Sequence, residues 1–154
     1  MMTIKKVLIL DDDSGHQILV SKLCERSFPC EITLASTLAE AKKKIQQKKF
    51  DIITLDGCLF HVEYGYQLIP AIKEIQSQNC VIIMISSSQK SIDDGLSLHA
   101  DYGFLKEEIV TGEKKVQFNE RFEIVPVECD VHNDIWKSVG LSTDFFLTIE
   151  TISL

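Results

Sequence analysis

The sequence predicts an α/β fold, a doubly wound five-stranded parallel sheet followed by a β-rich extension, and three observations carry that expectation. Short apolar runs alternate with longer segments of helical period, the pattern of βαβ units around a parallel sheet. Several of these runs end on a residue fit for chemistry, and in such a sheet the carboxyl ends of the strands converge on one crevice. The 154 residues suit one domain with an appendage and are too few for two independent cores.

Taken in order, Val7 to Leu10 is the first buried strand. Ser14 to Phe28 follows as a helix, with Ile18, Leu19, Leu23 and Cys24 at roughly helical spacing and Pro29 closing it. Ile32 to Ala35 is the second strand. Thr37 with Glu40 three residues on forms a capping-box pattern, opening a helix whose apolar stripe is Leu38, Ala41 and Ile45. Ile52 to Leu55 is the third strand, Tyr66 to Ile75 the third helix and Val81 to Ile85 the fourth strand. Ser91 to His99 gives a shorter helix and Tyr102 to Leu105 the fifth strand. Beyond Lys106 the helical period is lost after barely one turn, Glu107 to Gly112. Val116 to Val127 alternates apolar residues as a strand pair does, Phe118, Phe122 and Ile124 among them. Asp130 is placed to cap a short helix carrying Val131, Ile135, Trp136 and Val139, with Gly140 as its stop, and Phe145 to Leu154 reads as a last strand.

Composition narrows the function classes. Net charge is −7, and no run of basic residues forms the footprint of a polyanion binder, so nucleic acid is not the expected partner. The cluster Lys42 to Lys44 with Lys48 and Lys49 is the solvated face of the second helix. Five scattered cysteines lack the close pairs of zinc or redox motifs and imply reduced thiols in the cytoplasm. The longest apolar stretch, Cys80 to Ile85, is too short to cross a bilayer, and no signal peptide can be drawn. His16, His61, His99 and His132 lack metal-ligand spacing and are expected at the surface or its boundary.

The strand ends hold the chemistry: Asp11, Asp12 and Asp13 after the first, Asp56 after the third, Ser86 after the fourth and Lys106 after the fifth. Any one of these aspartates by itself reads as a helix N-cap. Together they form an oxygen-rich site that repels itself unless a hard cation such as Mg²⁺ sits within it. A lysine and a hydroxyl beside it would stabilise a phosphoryl group in flight, so the constellation describes phosphoryl transfer to a carboxylate.

Four segments in register resemble the response-regulator receiver family: VLILDDD at 7–13, DIITLD at 51–56, VIIMISS at 81–87 and ADYGFLK at 100–106. The likeness covers about residues 3–107 and implies a flavodoxin-like receiver of strand order 2-1-3-4-5 over residues 1–110, with residues 111–154 as an atypical extension. It further implies that Asp56 is the phosphoacceptor, that Asp11 and Asp12 hold Mg²⁺ directly or through water, and that Cys58 offers its backbone carbonyl to the metal. Ser86 would hydrogen-bond the phosphoryl group and Lys106 would pair with it. The implied donor is a phosphohistidine of a sensor histidine kinase or phosphotransfer protein. The implied output is a surface read by a downstream target or by a second copy of the chain. Such a protein is no enzyme beyond its own phosphorylation and dephosphorylation.

This sequence departs from the family pattern at six places. Phe60 stands where a proline is usual, and the following glycine, Gly65, comes one residue late, so a reshaped loop is expected. Ser87 replaces a very small residue and would crowd the phosphoryl group. Gly103 replaces the aromatic that swings inward on activation, a part left to Tyr102 or Phe104. Glu107 stands for a proline. The missing fifth helix leaves a sheet face for the tail to cover, on its own protomer or a partner's. Two other readings stay open: a degenerate receiver that only docks or dimerises, and a haloacid-dehalogenase-type phosphatase using Asp11 and Asp13 with Asp93 and Asp94.

Overall fold

The computed structural model describes residues 3–109 and 115–127. Five parallel strands, β1 (Lys5–Leu10), β2 (Cys30–Ala35), β3 (Ile52–Asp56), β4 (Val81–Ser86) and β5 (Tyr102–Leu105), form one sheet in the order β2-β1-β3-β4-β5. The helices between them are α1 (Ser14–Ser27), α2 (Leu38–Gln47), α3 (Ile69–Ile75) and α4 (Gln89–Ser97), and α5 (Lys106–Ile109) is a single turn. The order reverses between β1 and β3, the crevice where such sheets place their ligands. Register sets the chemistry level: Leu10 pairs with Leu55, Asp56 with Ile85 and Ser86 with Leu105.

Alternation along each strand divides the core in two. Leu8, Leu10, Ile53, Leu55, Ile82 and Met84 face α2, α3 and α4. Val7, Ile9, Ile52, Ile83 and Ile85 face α1. The central strands β3 and β4 are buried on both faces, as parallel sheets require, and their runs are therefore almost continuously apolar.

Three expectations need correction. The stripe of α1 runs through Gln17, Val20, Leu23 and Cys24, while Ile18 is 56% exposed, because helical spacing from Leu23 and Val20 reaches position 17 before 18. The third helix opens as a 3-10 turn, Gly65–Leu68, before α3 begins at Ile69, with Pro70 in its first turn where the missing N–H costs nothing. Tyr102 and Phe104 cannot stand in for an aromatic at position 103, because alternation sends them to the opposite face of β5. There they meet Phe122 and Phe118, with ring centroids 5.5 and 5.6 Å apart.

The strand pair is present as an antiparallel hairpin, β6 (Val116–Phe118) and β7 (Ile124–Pro126). Its turn is held by Asn119, whose Oδ1 accepts from the amides of Arg121 and Glu123. The hairpin lies on the α1 side of the sheet, where Ile109, Val116 and Phe118 complete the second core cluster. The Phe118 amide donates to Ser27 Oγ at 2.7 Å, tying β6 to the end of α1. The short helix at Asp130 and the strand at Phe145 lie outside the described residues.

Candidate functional site

The site grows from the ends of three strands. β1 delivers Asp11, 3% exposed, and the chain then turns into α1, where Asp13 caps the helix by accepting from the His16 amide. The Asp13 amide donates to Asp11 Oδ1 at 2.9 Å, and Gln17 Nε2 donates to the Asp11 carbonyl at 2.8 Å. Asp11 is thus fixed from both sides. β3 delivers Asp56, 5% exposed, and β5 delivers Lys106, 9% exposed. One oxygen from each of Asp11, Asp12 and Asp56 lies within 4.8 Å of the others.

Lys106 Nζ joins these groups, 3.0 Å from Asp56 Oδ1 and 3.1 Å from Asp11 Oδ2. Burial works against its charge, but the carboxylates of Asp56 and Asp11 outweigh that and hold its pKa above the ordinary lysine value. Asp56 moves the other way for an acid: burial, and then the charge of Asp11, push it up to about 7, with Lys106 pulling it back. Asp12 is also pushed up by burial, but the Phe60 amide, 3.0 Å from Oδ2, and a hydrogen bond with Asp56 bring it below its ordinary value. A buried carboxylate of raised pKa beside a half-buried one of lowered pKa is an arrangement found at functional sites.

Ser86 is buried at the end of β4, and its Oγ accepts from the Ser88 amide at 3.1 Å. It presses on the loop after Asp56. A Cβ on Gly57 would lie 2.2 Å from Ser86 Oγ, so only glycine fits there. Gly65 closes the same loop from above, where a Cβ would lie 1.9 Å from the Asp56 carbonyl oxygen. Between the two glycines the chain makes a tight excursion, with Leu59 bridging Glu63 and positive φ at Phe60 and His61. Phe60 and Gly65, the two departures noted in the sequence, both lie in this loop. Cys58 is half-buried within it, and Ser87 is exposed between β4 and α4.

A family model described as the response regulator receiver domain matches residues 7–110. The chain belongs to the response regulator receiver family. Solved structures agree. A CheY-like receiver domain protein of Methanospirillum hungatei JF-1 is 26% identical, with 68% of this chain and 82% of that one covered and a TM-score of 0.55. Chemotaxis protein CheY4 of Vibrio cholerae is 27% identical over 68% of this chain and 88% of that one, with a TM-score of 0.55. A response regulator of Burkholderia pseudomallei, solved with a phosphorylated aspartic acid, a calcium ion and citrate, is 25% identical, with a TM-score of 0.57. That likeness covers 66% of this chain and 59% of the Burkholderia one. No curated protein matches the sequence.

This receiver brings Asp11, Asp12, Asp56 and Lys106 into one cluster, with Ser86 against the loop beside it. Asp93 and Asp94 are instead on α4, in i,i+4 pairs with Gln89 and Lys90, so the phosphatase reading loses its downstream carboxylates. Two side chains at the site escaped the sequence reading. Gln17 sits on the apolar stripe of α1 and reads there as a gap in the pattern. His16 reads as a boundary residue, yet its Nδ1 lies 3.0 Å from Lys106 Nζ. Their position in the first turn after an acidic strand end was the available signal. No described helix is long and apolar enough to cross a membrane.

Proposed function

We propose that this receiver is a cytoplasmic response regulator in which Asp56 accepts a phosphoryl group from a phosphohistidine of a sensor kinase or phosphotransfer protein. The observation that carries the reading is the cluster at the strand ends, with Asp11, Asp12 and Asp56 oxygens within 4.8 Å of one another and Lys106 Nζ 3.0 Å from Asp56 and 3.1 Å from Asp11. The phosphorylated aspartic acid and calcium ion in the Burkholderia relative support it.

The donor set fits a hard divalent cation: three carboxylates converge, one of them raised to about 7 by burial and by its neighbour's charge. Asp11, Asp12, Asp56 and the Cys58 carbonyl would hold Mg²⁺, which when bound would neutralise charge on the phosphoryl oxygens. The chain's own residues do the rest. An Asp56 carboxylate oxygen attacks phosphorus in line, the O–P bond forms as the N–P bond to the donor imidazole breaks, and that nitrogen keeps the electron pair. Lys106 transfers one of its hydrogen bonds from the carboxylate to the phosphoryl oxygens, and the Ser86 hydroxyl supplies another. Gly57 leaves room for both, and burial excludes water that would compete for the donors.

The output would be a changed surface around β4 and α4, recognised by a target protein or by a second copy of the chain. The chain catalyses no turnover beyond its own phosphorylation and dephosphorylation. A docking module indifferent to phosphate is favoured by one observation: Ile92 Cγ2 occupies the space that any side chain at position 103 would need.

Intact-mass spectrometry after incubation with acetyl phosphate, and in parallel with beryllofluoride, separates the readings. A Mg²⁺-dependent adduct present in the native chain and lost in Asp56→Asn is the expected result. With neither reagent giving an adduct on a folded, Mg²⁺-loaded chain, the docking reading would replace it.

A further inference from the structure

The Lys106 ammonium has three N–H bonds and three acceptors around its nitrogen. Asp56 Oδ1 stands at 3.0 Å, Asp11 Oδ2 at 3.1 Å and His16 Nδ1 at 3.0 Å. Two belong to the carboxylate cluster already described. The third does not. An ammonium donates at that distance only to a nitrogen bearing a lone pair, so the contact requires the tautomer in which Nδ1 accepts. The same Nδ1 stands 4.0 Å from Asp11 Oδ1 and 3.9 Å from Asp13 Oδ1, too far for hydrogen bonds to either.

The ring's place is set locally. Asp13 caps α1 by accepting the His16 amide at 3.0 Å, which fixes the residue in the first turn of the helix, facing the end of β5. Lys106 stands at the start of α5 (Lys106–Ile109), directly after β5, and its side chain is buried.

We infer that His16 is a positioning residue, whose Nδ1 holds the Lys106 ammonium in line with Asp56; the inference rests on the reading of Asp56 as phosphoacceptor. Two acceptors leave an ammonium free to pivot about the line between them, and a third removes that freedom. A carboxylate in place of the imidazole would also hold the lysine, but it would add a negative charge facing an incoming phosphoryl dianion. A neutral nitrogen orients the lysine without that repulsion, and it gives up a single hydrogen bond when the ammonium turns to the phosphoryl oxygens.

The test compares the full chain with His16→Leu, His16→Ala and His16→Asn. In the asparagine variant Oδ1 takes the place of the ring Nδ1 as acceptor. The first readout, made without any phosphodonor, is the ¹⁵N signal of the Lys106 ammonium and its proton exchange. A slowly exchanging signal is expected in the native chain and in His16→Asn, with exchange about tenfold faster or the signal lost in His16→Leu and His16→Ala. The second readout is the rate of phosphoryl uptake from acetyl phosphate by intact mass, expected to fall about tenfold in the leucine and alanine variants and to be restored in His16→Asn. A general packing role would not be rescued by asparagine. The inference is overturned if the native chain shows no protected ammonium, if His16→Leu and His16→Ala keep it, or if His16→Asn loses it. Should the native chain take up no phosphoryl group, the Asp56 reading fails, and the ammonium signal still decides whether His16 holds Lys106.

Discussion

Asp56 is the residue on which stability and chemistry conflict. Burial and the charge of Asp11 raise its pKa from an ordinary 3.8 to about 7, so the folded protein binds that proton more tightly than the unfolded chain. The sign follows directly. The stabilisation is fully present below pH 4 and is lost as the pH rises through 7, where the folded protein must carry a buried, crowded carboxylate. In chelator, native protein is therefore expected to lose on the order of 2–4 kcal/mol of unfolding free energy from this group between pH 4 and pH 8. Asp56→Asn removes the titration, and urea melts of the two proteins across that range should converge at the acid end and separate at the alkaline end, the mutant being the more stable. Parallel curves would mean that Asp56 is not strained as its surroundings indicate. Gly57 makes a sharper case, since a Cβ there meets Ser86 Oγ at 2.2 Å and Ser91 Cβ at 2.6 Å. Gly57→Ala is expected to cost about 1–3 kcal/mol by overpacking and to displace the Ser86 hydroxyl, so that adduct formation slows even where the protein remains folded.

At the scale of elements, α4 and β5 fit each other through an exchange of small for large. Gly103 leaves room for Ile92, whose Cγ2 would lie 2.3 Å from any Cβ at 103, and Gly95 leaves room for Met84 in the same way. Gly103→Ala should destabilise by about 1–3 kcal/mol, whereas Gly103→Ala with Ile92→Ala should cost less than the two single changes summed. Additive urea midpoints would show that the contact is not made. This pairing was not legible from the sequence, where Gly103 reads only as a missing aromatic. A sequence pattern shows which positions are apolar, not which neighbour fills the space beside a glycine. The sheet was legible, because strands buried on both faces leave continuous apolar runs such as Val81 to Ile85. The carboxylate cluster was legible as well, because parallel topology sends every strand end to one edge. The misreading of α1 has a different cause: Ile18 is apolar yet exposed, and Gln17 is polar yet buried, satisfied by the Asp11 and Ala35 carbonyls and Ser36 Oγ. Hydropathy alone inverts such a pair.

For the whole molecule, the question of stability sits on the sheet face beside α1, where α5 and the hairpin pack. Among the described residues, α5 and the hairpin cover that face, the hairpin through Val116 and Phe118, each 4% exposed, with the Phe122 ring in tilted contact with Phe28, Tyr102 and Phe118. A two-stranded hairpin is marginal by itself, so its order depends on this packing, and the packing in turn depends on its aromatic rings. Phe118 is the buried one: its ring meets Phe104 and Phe122, and its amide donates to Ser27 Oγ. Phe118→Ala should therefore cost about 3–5 kcal/mol, the upper range for a buried aromatic, because the strand cannot collapse inward without breaking the Ser27 contact. Removal of everything beyond residue 112 should cost at least as much and expose Val20, Leu23, Tyr102 and Phe104, so the shortened chain is expected to self-associate in sedimentation. Loss of stability in both variants, with the association state of Phe118→Ala unchanged from the native chain, would show that the hairpin is what covers this face. An unchanged urea midpoint in the shortened chain would show that α1 and the sheet suffice, and that residues beyond 112 belong to recognition instead.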